Sequence, residues 1–154
     1  NILKKVGAKI KLFKNSIHVK GPEKIKSIRN ITTKEYPGFP TDLAPQFMVL
    51  LCKANGTSSI TENIFQGRFL HAMELQRLGA KINIKNRTAK IEGNTNFIAA
   101  EVMSSDLRAS AALVLAGIVS KGNTIVTRVY HCDRGYENFE NKLKKIGVKI
   151  KRLK

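Results

Sequence analysis

Tryptophan is absent, and seven Phe and three Tyr supply all the aromatic content, 6% of the 154 residues. Proteins that bind single strands stack bases on aromatic platforms. With lysines scattered along the chain and no RNP or zinc-finger pattern, that scarcity argues against a nucleic-acid partner. Cysteine is rarer still. Cys52 and Cys132 stand far apart without a C-x-x-C spacing, so neither a disulfide framework nor a zinc finger is expected, and a reducing, cytoplasmic setting fits. His18, His71 and His131 are dispersed singly and no H-E-x-x-H spacing occurs, so neither a metal nor a cofactor is expected. Long hydrophobic runs are missing too: Ala109 to Val119 is interrupted by Ser110 and is far shorter than the roughly 18 to 20 residues that cross a bilayer, so no membrane partner is expected. Acidic residues are few, 11 Asp+Glu against 28 Lys+Arg, leaving a net charge of +17. What is present is otherwise ordinary. With 42% hydrophobic and 25% charged residues the chain is close to the globular average, and its length favours one domain. It opens on Asn1 in what reads as a helix end entering a hairpin, so a piece of something longer is expected.

One pattern occurs three times: Leu3-Lys4-Lys5-Val6-Gly7-Ala8-Lys9-Ile10, Leu75-Gln76-Arg77-Leu78-Gly79-Ala80-Lys81-Ile82 and Leu143-Lys144-Lys145-Ile146-Gly147-Val148-Lys149-Ile150. The copies lie 72 and 68 positions apart, the mark of a duplicated supersecondary unit. Each predicts a helix, a glycine at the left-handed C-cap, then a strand. The rest of the unit recurs as well. Thr41-Asp42-Leu43 opens a helix to about Lys53 and Ser105-Asp106-Leu107 another to about Val119. Strands follow at about Ser58 to Ile64 and Thr124 to Tyr130, each leading into a second helix near Arg68 and Arg134. Ile10, Leu12, Ile17 and Val19 predict a hairpin with one apolar face, and Ile82, Ile84, Ala89 and Ile91 repeat it around Asn86.

From Leu107 to Val119 almost every side is apolar, which marks a helix surrounded by protein. Sheets toward water and helices inside invert the layering of a (β/α)₈ barrel. The expected fold is therefore α/β, built of βαβαββ repeats as an inside-out α/β barrel with central helices and solvent-facing sheets.

Lys9, Lys11, Lys81, Lys149 and Lys151 recur on the polar side of equivalent strands, so much of the positive charge reads as a solvated face. The same charge would concentrate anionic partners, and by itself it does not choose between the two. His131-Cys132-Asp133, read as extended chain, points its neighbours to opposite sides and makes a poor nucleophile set. Cys52, inside Phe47-Met48-Val49-Leu50-Leu51, reads as a small buried hydrophobe.

Asp42, Arg68, Asp106, Arg108 and Arg134 all fall at strand-to-helix junctions, where α/β units carry function. Helix capping explains either aspartate without an active site. Pro45 weakens that account for Asp42, because as the third helical residue it would have no N–H to offer the carboxylate. Arg68 and Arg134, beside helix starts in equivalent repeats, suit a phosphate or carboxylate. The residues describe an anion-handling cleft with a carboxylate beside it, ligand unnamed.

Tyr36-Pro37-Gly38-Phe39-Pro40-Thr41-Asp42-Leu43 with Gln46-Phe47, then Thr61-Glu62-Asn63-Ile64-Phe65, Arg68-Phe69 and His71, then Ser105-Asp106-Leu107-Arg108-Ala109-Ser110, and finally Tyr130 and Asp133-Arg134-Gly135-Tyr136-Glu137, resemble the UDP-N-acetylglucosamine enolpyruvyl transferases in order along nearly the whole chain. Enolpyruvylshikimate-phosphate synthases look like more distant relatives. The resemblance implies that residues 1–154 are an incomplete C-terminal domain of a two-domain enzyme, with 1–21 ending one repeat, 22–93 a complete repeat and 94–154 the last. It implies partners: phosphoenolpyruvate, UDP-N-acetylglucosamine and the other domain of the same polypeptide. It implies roles too. Asp42 would bind the sugar 3′-hydroxyl and accept its proton, Arg68 and Arg134 would hold the phosphate and carboxylate of phosphoenolpyruvate, and Ile64, Phe65, Asp106 and Arg108 would line the substrate cleft.

Two departures bear on local geometry: Ala44-Pro45-Gln46 stands where the family usually has Gln-Ala-Gln, and Gly67 replaces an asparagine before Arg68. The family's general acid, usually a cysteine on a loop of the other domain, matches neither Cys52 nor Cys132, so the chain alone is expected to be inactive. A basic nucleic-acid-binding module and a non-enzymatic repeat scaffold are the competing classes.

Overall fold

A computed structural model describes residues 1–153. In chain order the elements are α1 (Ile2–Lys5), β1 (Lys9–Leu12), β2 (Ile17–Lys20), β3 (Ile31–Thr32), a 3₁₀ turn (Thr41–Leu43), α2 (Ala44–Cys52), β4 (Thr57–Thr61), α3 (Leu70–Arg77), β5 (Lys81–Lys85), β6 (Thr88–Glu92), β7 (Glu101–Met103), α4 (Leu107–Ile118), β8 (Ile125–Thr127), α5 (Tyr130–Asp133) and α6 (Phe139–Lys145). The fold is mixed α/β. Its strands form a β1–β2 hairpin, a four-stranded sheet in the order β3-β4-β6-β5, and a parallel β7–β8 pair; among the described residues no sheet closes on itself.

The repeated grammar has a backbone cause. Gly7, Gly79 and Gly147 follow α1, α3 and α6 with φ of +103°, +93° and +91°, a region that costs a side chain about 1 kcal/mol or more and glycine almost nothing. In the complete unit the chain then enters β5, turns at Asn86 (φ 55°) and returns as β6, with Ile82 opposite Ile91 and Ile84 opposite Ala89. Ile82, Ala89 and Ile91 are buried, whereas Lys81, Asn83 and Lys90 face solvent.

The core lies where α2 and α4 pack together under that sheet. Met48, Leu51 and Cys52 of α2, Leu75 of α3, and Ala112, Leu113 and Ala116 of α4 are fully buried. Alanines and Ser110 along α4 let the helices approach closely, and truncating one such leucine to alanine costs about 2 to 5 kcal/mol.

Four expectations need correction. The strand placed at Ser58 to Ile64 is Thr57–Thr61, because the Glu62 carboxylate draws the Ile64 and Phe65 N–H groups out of the ladder. The strand placed at Thr124 to Tyr130 stops at Thr127, before Arg128 in a left-handed conformation (φ 54°). His131-Cys132-Asp133 is helical, forming α5 with Tyr130. No strand follows Gly147 among the described residues, so Lys149 and Lys151 lie on irregular chain. That segment turns back on α5 and α6, where Arg152 donates to both carboxylate oxygens of Asp133 and lies 3.7 Å from Glu140. The β1–β2 hairpin keeps its alternation but not its burial: Leu12, Ile17 and Val19 are exposed.

Candidate active site

The 3₁₀ turn before α2 places Asp42 where the loop after β4 and the start of α4 meet it. Pro45 makes this placement inexpensive. Leu43 is the N-cap of α2, so Pro45 falls in the first turn, where a missing N–H costs nothing and the fixed φ suits the helix. Asp42 is therefore not a helix cap, and its side chain remains 57% exposed.

Two arginines converge on it. Arg108 Nε donates to Asp42 Oδ1, and Arg68 Nη1 reaches the same oxygen at 3.4 Å. The Arg108 hydrogen bond is the main reason the Asp42 carboxyl is held below its ordinary range; burial opposes it, and the charges of both arginines tip the balance further down. Arg68 also lies over the Phe65 ring, 4.1 Å from its centroid, which fixes the guanidinium plane. Arg108 owes its position to Asp106, which caps α4: its carboxylate accepts from the Arg108 and Ala109 N–H groups at 2.8 and 3.1 Å. Capping is thus the role the structure displays for Asp106.

Arg134 stands apart from this cluster. It is exposed and forms the C-cap of α5, so the expected helix start beside it is absent. Its segment nonetheless reaches the same end of the molecule. A Cβ on Gly135 would come within 3.0 Å of Leu107 at the start of α4, and the Tyr136 hydroxyl hydrogen-bonds Gln46 at 3.2 Å.

Sequence reasoning gave no role to Glu62, which is 2% exposed and accepts four hydrogen bonds. Thr33 Oγ1 (2.8 Å), Ile64 N (2.8 Å) and Phe65 N (3.1 Å) donate to Oε1, and Thr41 Oγ1 (2.7 Å) donates to Oε2. Burial pushes this carboxyl up, but the donors together outweigh it and hold it below the usual range. A glutamate between Thr61 and Asn63 at a strand end was the available signal.

No three His, Cys, Asp or Glu side chains among the described residues gather into a group able to hold a metal. Cys52 is buried and its thiol is pushed up to about 12 by desolvation; Cys132 is raised by burial and by Asp133. Neither is an activated nucleophile.

The family profile described as EPSP synthase (3-phosphoshikimate 1-carboxyvinyltransferase) matches residues 1–143. The chain belongs to the EPSP synthase family. It is 60% identical over 153 residues to UDP-N-acetylglucosamine 1-carboxyvinyltransferase of Pelagibacter ubique, covering 99% of this chain and 36% of that protein. The enzyme of the same name from Endomicrobium trichonymphae is 52% identical, over 97% of this chain and 35% of its own. The chain thus spans about a third of the length of these curated relatives. Among solved structures, the enolpyruvyl transferase NikO from Streptomyces tendae superposes with a TM-score of 0.90 at 25% identity, covering 97% of this chain and 35% of that one. EPSP synthase from Acinetobacter baumannii superposes at 0.73 with 16% identity, over 97% of this chain and 35% of its own, a likeness of fold.

This member of the EPSP synthase family tolerates both departures in its motifs. Ala44-Pro45 begins α2 without breaking it, and Gly67 takes a positive φ of 69° in the loop that brings Arg68 toward Asp42.

Proposed function

We propose that the protein carrying this segment transfers the enolpyruvyl group of phosphoenolpyruvate to the 3′-hydroxyl of UDP-N-acetylglucosamine, releasing phosphate, as a cytoplasmic step of peptidoglycan precursor synthesis. In this reading residues 1–154 belong to the C-terminal domain of a two-domain transferase, an inside-out α/β barrel in which 1–21 end one repeat, 22–93 make a complete one and 94–154 begin the last. The supporting observation is that a carboxylate from one repeat, Asp42, sits between arginines of two repeats, Arg68 and Arg108.

Asp42 binds the sugar hydroxyl and takes its proton as the oxygen attacks the phosphate-bearing carbon of phosphoenolpyruvate. A carboxylate clasped by two guanidinium groups is a weak base, so positioning supplies much of its effect. An anionic substrate that draws charge from Arg68 and Arg108 loosens that clasp and strengthens the base. Arg68 and Arg134 hold the phosphate and carboxylate groups and stabilise the charge of the tetrahedral intermediate. Ile64 and Phe65 form the backbone wall toward the sugar nucleotide. Since the Ile64 N–H is committed to Glu62, its carbonyl is the group that meets the ligand. An acid on the other domain protonates the terminal enol carbon, and loss of a proton from that same carbon as the bond to phosphate breaks restores the double bond of the product.

The test is phosphate release by the full-length protein, dependent on both substrates. Asp42→Asn and Arg134→Ala should each lower kcat/KM by about 10²-fold or more, and the 154-residue chain alone should be inactive. Undiminished turnover in both variants would identify a scaffold. Binding to duplex DNA that weakens steeply with salt would identify a nucleic-acid module.

A further inference from the structure

Glu62 is a buried carboxylate at the junction of three segments that meet nowhere else in sequence. On one side it accepts from Thr41, the residue before Asp42. On the other it accepts from the N–H groups of Ile64 and Phe65, and from Thr33 at the end of β3. Thr33 in turn accepts from Asn63 N at 2.9 Å, which closes the loop onto the sheet. All four groups that reach Glu62 are donors, three on Oε1 and one on Oε2, which suits an ionised carboxylate because it only accepts. Satisfaction is not optional at 2% exposure, because a buried donor left without a partner costs more than the bond itself returns.

We propose that Glu62 is a positioning residue of this site: by gripping Thr41 with one oxygen and the Ile64–Phe65 backbone with the other, it fixes the gap between Asp42 and the wall facing the sugar nucleotide. The proposal rests on the transferase reading above. Its distinguishing consequence is a split between substrates. The gap governs where the sugar hydroxyl lies relative to Asp42, whereas phosphoenolpyruvate is held by Arg68 and Arg134, which Glu62 does not touch. The link through Thr41 is separable from the link to the loop, since Thr41→Val removes the hydroxyl while leaving Glu62 bonded to Thr33, Ile64 and Phe65.

In the full-length protein, Glu62→Ala should lower kcat about 10²-fold and raise KM for UDP-N-acetylglucosamine about tenfold, with a distinctly smaller rise in KM for phosphoenolpyruvate, which Glu62 reaches only through the Phe65–Arg68 contact. Thr41→Val should lower kcat about tenfold with a smaller change in either KM, and Thr41→Ser should restore it. Rates are normalised to folded protein by active-site titration and circular dichroism, so that a role confined to stability would return kinetics equal to those of the parent. Such kinetics in both Glu62→Ala and Thr41→Val would overturn the proposal. A second measurement needs no turnover: amide exchange at Ile64 and Phe65 should quicken about tenfold in Glu62→Ala and stay unchanged in Asp42→Asn. If the parent protein transfers no enolpyruvyl group, the transferase reading fails by itself. Amide exchange then decides whether Glu62 sets the loop, and equal exchange in all variants sinks that as well.

Discussion

Arg108 hydrogen-bonds Asp42 across 66 positions of chain, joining the start of α4 to the turn before α2. Asp42 is largely exposed, and pairs of that kind contribute about 0 to 1 kcal/mol, so the contact matters for where the groups stand more than for stability. Asp42→Asn should therefore leave the urea midpoint of this chain almost unmoved while the full-length protein loses about 10² to 10⁴ in kcat. Arg108→Ala should let the Asp42 carboxyl titrate closer to its ordinary range. Because the base must be ionised, the acid limb of the kcat/KM profile should move to higher pH; a limb that stays in place would remove Asp42 from the role of base.

Asp106 is the opposite case, a carboxylate whose displayed work is structural. Asp106→Ala should destabilise this chain by about 1 kcal/mol through the lost cap, and Asp106→Asn, which still offers an acceptor, by less. Urea unfolding of the three proteins decides this.

His71 is 3% exposed on α3, its Nε2 makes no hydrogen bond among the described residues, and burial pushes its pKa down to about 4. The neutral form is favoured in the folded state, so the unfolded chain binds the extra proton. Stability is then fully present above about pH 6.5 and falls as pH drops from there toward 4, by on the order of 3 kcal/mol. Glu62 and Asp106, held below the usual carboxylate range, begin to add their own loss as pH falls through their ordinary values of 4.5 and 3.8, overlapping the lower end of the His71 window. His71→Leu should flatten the slope of stability between pH 6.5 and 4.5, whatever it does to stability at neutral pH.

Both cysteines should resist alkylation in the folded chain at pH 8 and react only as fast as it opens. Burial denies the reagent access and suppresses the thiolate, most strongly at Cys52. Mass spectrometry after a timed iodoacetamide pulse, with and without urea, reads this directly; rapid labelling of Cys52 without urea would show that its pocket is open.

Helix, glycine and strand were legible because each depends on residues within a few positions: Gly79 permits one φ, Ile82 and Ile91 select one face of a hairpin, and the alanines of α4 admit close neighbours on every side. Asp42, Arg68 and Arg108 were legible as charged residues at the junctions between elements, and the structure brings the three together. The expectation for Arg134 failed in its local setting, since the offset between repeats hid a short helix ending where another was expected to begin. Glu62 was overlooked because a glutamate at a strand end is only a weak signal, and Thr61-Glu62-Asn63 does not reveal that four donors, up to 29 residues away, will close around it.

The amino-acid order alone settled the alternation of elements, the glycine caps and the placing of charged residues at the junctions, all consequences of backbone sterics and of side-chain chemistry over short spans. Folding decided the rest: that Asp42 is paired and Asp106 is a cap, that burial favours neutral His71, and that the buried Glu62 carboxylate ties Thr41 to the loop at Ile64 and Phe65. Those properties belong to distances between residues far apart in the chain, and only packing sets such distances.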